Sequence, residues 1–98
     1  MKVLQILPQL NIGGVERGTL DLSKALISKG HDSFVISGGG ILVDELTQYG
    51  AKHYEIPVHI KSLRTLSLAK RLSETISSIE PDIVHVRSRM PAWVNYRA

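Results

Sequence analysis

Short apolar runs alternate with helical patterns along all 98 residues, and this alternation constrains the fold more than any other feature of the chain. Residues 2–7 (KVLQIL) are almost continuously apolar and stop at Pro8, as expected of a strand buried on both faces of a parallel sheet. Residues 33–37 (SFVIS) form a second such run, closed by three glycines. Residues 52–56 (KHYEI) alternate polar and apolar before Pro57, which suits an edge strand with one wet face. Residues 83–86 (IVHV) give a fourth run of the buried type. Between these runs lie helical patterns. The first places Val15, Gly18, Leu22, Ala25 and Leu26 on one face and stops at Gly30. The second, from about residue 42 to residue 49, carries Leu42, Leu46 and Tyr49 and stops at Gly50. The third, over residues 62–78, has Leu66, Ala69, Leu72, Ile76 and Ile79 on one side, with Lys70, Arg71 and Glu74 on the other. Pro91 is expected to open a last helix that runs to the end of the chain.

Strands separated by helices of this length imply right-handed crossovers around a parallel sheet. The expected fold is therefore α/β: a Rossmann-like parallel sheet with strand order 3-2-1-4, a truncated half of a doubly wound domain. In such a sheet ligands gather beyond the carboxyl ends of the strands where the order reverses, here between strands one and four. Residues 8–17 and 85–91 are the segments that matter. No fifth strand is expected before the chain ends, so strand four becomes an edge with apolar residues and unpaired main-chain groups, and self-association or aggregation through it is expected.

Composition removes several function classes. Twelve Lys plus Arg against nine Asp plus Glu leave a net charge of +3 with no basic run, too little to imply nucleic-acid binding. Peripheral contact with an acidic membrane surface is compatible with that charge and does not follow from it. There is no cysteine, hence no disulfide framework and no thiolate metal site. The apolar start lacks the length and small-residue cleavage site of a signal peptide, so a cytoplasmic location is expected.

The segment NIGGVERG joins strand one to helix one, and Gly13 with Gly14 lets the main chain approach a phosphate or sugar at the positive end of a helix. The same glycines equally serve a tight strand-to-helix turn. The spacing from Gly13 through Gly18 to Thr19 nearly matches a P-loop but lacks its lysine, which argues against an NTPase. The three spaced glycines of a dinucleotide fingerprint are also missing. Glu16 and Arg17 fall in the first helical turn, where Glu16 complements the helix dipole whatever the function. His85, between two valines, is either a hydrogen-bonded core group or a residue facing the cleft. Arg87 and Arg89 follow it, and two guanidinium groups suit a diphosphate because each makes paired hydrogen bonds to oxygens; they are otherwise two surface arginines beside a turn. No histidine spacing, carboxylate pair or nucleophile elbow suggests a metal or a hydrolase.

Residues 2–37, KVLQILPQLNIGGVERGTLDLSKALISKGHDSFVIS, resemble the opening of the retaining glycosyltransferases built from two Rossmann-like domains, the GT-B arrangement. The resemblance rests on Gly13, Gly14, Glu16, Lys29, Gly30 and His31 in this order, and residues 80–93 (EPDIVHVRSRMPAW) resemble the fourth strand and following loop of members that build lipopolysaccharide or other surface glycans. It implies that the chain is part of the N-terminal, acceptor-side domain (residues 1–98), with the nucleotide-sugar-binding domain and its paired glutamates absent. It further implies a sugar donor activated by a nucleotide diphosphate, a glycan or lipid-linked acceptor, and no other cofactor. Gly13 and Gly14 would lie near the donor phosphates and acceptor, with Glu16, Arg17, Arg87 and Arg89 as substrate contacts. His85 takes the first of two positions where the family often carries histidine, as the catalytic candidate, and Arg87 takes the second. A chain holding one wall of the cleft is expected to be inactive alone. A stand-alone flavodoxin-like binding or regulatory module, and a fragment of a two-domain sugar-nucleotide epimerase, share the architecture and are the alternatives.

Overall fold

The computed structural model describes residues 1–7, 10, 14–56, 66–86 and 92–95. In chain order the elements are β1 (Lys2–Ile6), α1 (Gly14–Ser28), β2 (Asp32–Ser37), α2 (Val43–Gln48), β3 (Lys52–Glu55), α3 (Leu66–Ile79), β4 (Ile83–Val86) and β5 (Ala92–Asn95). They build one five-stranded sheet of order β3-β2-β1-β4-β5. The first four strands are parallel, in the expected order 3-2-1-4.

Strand β1 is central because nearly every residue in it has an apolar or hydrogen-bonded destination. Leu4 and Ile6 join Phe34, Ile36, Val84, Ile56 and Ile79 in a core beneath α3, with Leu72 and Ile76 packed against it. Alternate side chains of the strand point the other way, as strand geometry requires. Leu7 on that side joins Val35, Leu10, Leu20, Leu46 and Ala51 beneath α1 and α2. The result is a sheet with helices on both faces. Register fixes the layers: Gln5 pairs with Val35 on one side and with His85 on the other, and Leu4 pairs with Phe34 and Val84.

The buried face of α1 differs from the expected one. Thr19, Leu20 and Ser23 are buried, with Ile27 packed against the core, whereas Ala25 is exposed and Leu22 and Leu26 are only partly buried. The cause lies in the sheet. Gln5 is fully buried and its amide donates to Ser23 Oγ at 3.1 Å and to the Thr19 carbonyl at 3.4 Å, while Ser33 donates to Ser23 Oγ at 2.9 Å. Buried polar groups need partners, so the small polar residues of α1 turn inward to meet Gln5 and Ser33. The helix then closes as expected at Gly30, whose φ of +85° is left-handed. Gly30 N–H donates to the Ile27 carbonyl and His31 N–H to the Leu26 carbonyl, the paired bonds of a Schellman end.

Two further expectations are corrected. The segment expected to begin a helix at Pro91 contains β5 instead, running antiparallel to β4 with Val86 opposite Ala92 and Ile83 opposite Asn95. Trp and Val are good strand formers, and pairing satisfies the outer ladder of β4, a gain that local helix signals do not report. Strand β4 is consequently flanked by β1 and β5, and the expected self-association through strand four loses the unpaired edge on which it rested. Strand β3 is an edge, as expected. Its ladder groups point alternately inward and outward: Ile56 N–H reaches the Ser37 carbonyl of β2, whereas the Glu55 carbonyl accepts from Arg71 Nη2 of α3 at 2.9 Å. A guanidinium thus occupies an acceptor that another strand would need.

Candidate functional site

Strands β1 and β4 are neighbours and parallel, so the connections that follow them leave the sheet at the same end. This is also where the order reverses, since β2 lies on one side of β1 and β4 on the other. At that end Leu7 N–H still pairs with the Ile36 carbonyl, and Leu10 is fully buried. Helix α1 opens at Gly14, with Glu16 in its first turn and partly buried, so its unpaired N–H groups face the carboxyl end of the sheet. Gly13, Arg87 and Arg89 lie outside the described residues.

Arg17 is tied to α2. Its Nη2 lies 2.9 Å from Glu45 Oε2 and its Nε 3.8 Å from Asp21 Oδ1, with the side chain 51% exposed. Glu45 Oε2 also accepts the Tyr49 hydroxyl at 2.7 Å, and the Lys24 ammonium sits 5.4 Å from the centre of the Tyr49 ring. The hydrogen bond from Tyr49, then that from Arg17, holds the Glu45 carboxyl below its ordinary range, and the same carboxylate raises Arg17 and Tyr49. Such an exposed cluster contributes modestly to stability, because water screens it. Its effect is geometric: it ties α1 to α2. Glu45 and Tyr49 are four residues apart, a spacing that brings two side chains together on one helical face.

His85 occupies the penultimate position of β4 and is 4% exposed. Its register partners are Gln5 of β1 and Trp93 of β5, which puts the ring on the α1 side of the sheet, one residue short of the carboxyl end. Gly14, Glu16 and His85 are therefore brought to one end and one side of the sheet, and Arg17 stands nearby, held by Glu45.

A second polar cluster at the same end was not singled out from sequence. Ser37, the last residue of β2, is buried, and its Oγ lies 2.6 Å from His53 Nε2 of β3 and accepts the Gly39 N–H at 3.1 Å. Burial pushes His53 below the ordinary histidine value, with Glu55 opposing in part. The folded state thus takes up a proton at His53 less readily than the unfolded chain, so this contribution to stability is whole above pH about 6.5 and is lost as pH falls through the lower folded-state value. Urea denaturation at pH 7.5 and pH 5 should show a smaller loss in His53→Gln than in the natural chain; equal losses would exclude this linkage.

Among the described residues no group of three or more His, Cys, Asp or Glu is arranged to hold a metal, and no helix is long and apolar enough to cross a membrane. A groove of about 390 Å³ opens at the opposite, amino end of the sheet, between Lys2, Asp32 and Lys52, away from these residues.

Comparison with known proteins adds the following. Residues 12–98 match the model of the family described as Glycosyltransferase Family 4. Among solved structures, the chain is similar to a glycosyltransferase from Rickettsia africae ESF-5, with a TM-score of 0.74 and 40% identity, over 90% of this chain and 24% of that one. It therefore spans about a quarter of the length of that glycosyltransferase. No curated protein matches it.

Proposed function

Since the chain belongs to Glycosyltransferase Family 4 and carries a GT-B-type Rossmann-like sheet, we propose that it forms one wall of a sugar-transfer site. The reaction moves a sugar from a nucleotide diphosphate sugar to a glycan or lipid-linked acceptor, such as a lipopolysaccharide precursor, with retention at the anomeric carbon. The observation that supports this reading is the parallel pairing of β1 with β4, which sends the glycine turn and the end of β4 out of the same end of the sheet. Departure of the diphosphate builds negative charge, and main-chain N–H groups at the start of α1 meet it without reorganising. Arg87 and Arg89 would add paired donors to phosphate oxygens. Gly13 and Gly14 let the ligand approach the main chain, with Glu16 on the acceptor side, His85 at the reacting centre and Arg17 at the rim. The second wall would come from a nucleotide-binding domain, so the chain alone should not turn over donor. The site would work on the cytoplasmic side of a membrane, touching it at most peripherally.

Family membership favours this reading over a flavodoxin-like module or an epimerase. It is tested by titrating isotopically labelled chain with UDP- and GDP-sugars and following main-chain amide resonances. Shifts are expected at Gly14, Glu16 and His85, with dissociation constants on the order of 1 mM for a single wall. Shifts confined to Lys2, Asp32 and Lys52 at the amino end would overturn it.

A further inference from the structure

An unbroken series of hydrogen bonds joins the edge strand to the connection that leaves β1. Ser37 Oγ accepts the Gly39 N–H at 3.1 Å and lies 2.6 Å from His53 Nε2, to which its hydroxyl can donate when that nitrogen carries no proton. That direction requires the imidazole proton on Nδ1. The Gly39 carbonyl then accepts Leu10 N–H at 2.9 Å, and the Leu10 carbonyl accepts Leu42 N–H at 2.8 Å. Both main-chain groups of Leu10 are thereby committed to the segment between β2 and α2. Gly39 holds φ at +94°, a conformation other L residues rarely adopt, and a Cβ built on it would lie 2.5 Å from Glu55 Oε1. The Gly39 peptide is therefore held by Ser37 in a backbone conformation that suits glycine.

We propose that Ser37 and His53 are a positioning pair: they fix the Gly39 peptide, which fixes Leu10, four residues before α1 opens at Gly14. Neither residue touches the ligand. The functional consequence rests on reading the start of α1 as ligand-facing, but the positioning itself does not. The Ser37–Gly39 bond is buried and the Ser37–His53 bond partly so, where an unmade partner is costly, and losing them frees Gly39 to turn. Burial also disfavours the charged imidazolium, in which Nε2 could not accept.

The test compares amide hydrogen exchange in the natural 98-residue chain, Ser37→Ala, His53→Leu and His53→Gln. The glutamine side chain places a hydrogen-bonding atom near the position of Nε2; leucine places none. Relative to the core amides of Leu4 and Ile36, exchange at Leu10 should rise roughly tenfold or more in Ser37→Ala and His53→Leu, and return to within about threefold in His53→Gln. Equal behaviour of the leucine and glutamine variants, or a Leu10 amide that moves only in step with the core, would overturn the proposal. Should the variants not fold, the ¹⁵N resonances of the natural chain decide: an acceptor-type Nε2 at pH 7.5 supports the pair, and a protonated Nε2 defeats it. Donor-sugar titration is read separately. If Leu10 responds as described while no donor shifts Gly14, the positioning stands and the sugar-transfer reading falls.

Discussion

Shortening the chain to residues 1–91 should raise its average mass in sedimentation equilibrium above that of the 98-residue chain at the same concentration. The cut removes β5, and with it the antiparallel ladder that covers the outer side of β4. Backbone bonds contribute about 0.5–1.5 kcal/mol each, so a ladder of about four bonds accounts for about 2–6 kcal/mol. That is a large part of the stability of a chain this size, which falls at about 5–15 kcal/mol. The uncovered strand presents Val84 and Val86 with a row of free N–H and C=O groups, a template for a second copy. Unchanged mass together with an unchanged urea midpoint would mean that β5 contributes nothing to the edge it covers.

Leu4→Ala should lower stability by about 2–5 kcal/mol in urea denaturation, whereas Ile41→Ala should stay within about 0.5 kcal/mol. Leu4 is fully buried at the middle of β1, paired with Phe34 and Val84, and inside the core beneath α3. Truncating it opens a void between a sheet and a helix, both of which are fixed by other contacts, so the site collapses little. Ile41 is 66% exposed. Similar midpoints for the two variants would show that the layer beneath α3 does not hold the sheet together.

The strands and their order were legible because the runs KVLQI, SFVIS and IVHV are apolar enough to demand burial on both faces, while KHYE is not. Gly30 was legible as a helix stop because glycine has a steric reason to be there. Ala92–Asn95 is too short to show a period, and Pro91 before it reads as a helix start. The rest of what escaped was decided by residues far apart in sequence. Thr19 and Ser23 look like solvent-facing residues until Gln5 and Ser33 are placed beneath them. In the candidate site the sequence marked Gly14, Glu16 and His85, which share one end of the sheet, but not the Ser37–His53 pair, whose members are 16 residues apart. Arg17 was legible as a cation at the helix start, not as the partner of Glu45, because that pairing depends on how α2 lies against α1.

The two helical layers hold the sheet by different means, and this sets how each can yield. Rotating α1 by one residue, about 100°, would carry Ser23 away from Gln5 and Ser33, so its angle about its own axis is keyed like a shaft in a slot. Helix α3 rests on aliphatic contacts of Leu72, Ile76 and Ile79, with Arg71 bonded to the Glu55 carbonyl and Lys2 Nζ to the Ile79 carbonyl. Shifting α3 therefore strains bonds made by long, flexible side chains, whereas turning α1 breaks buried ones, and the start of α1 keeps its aim.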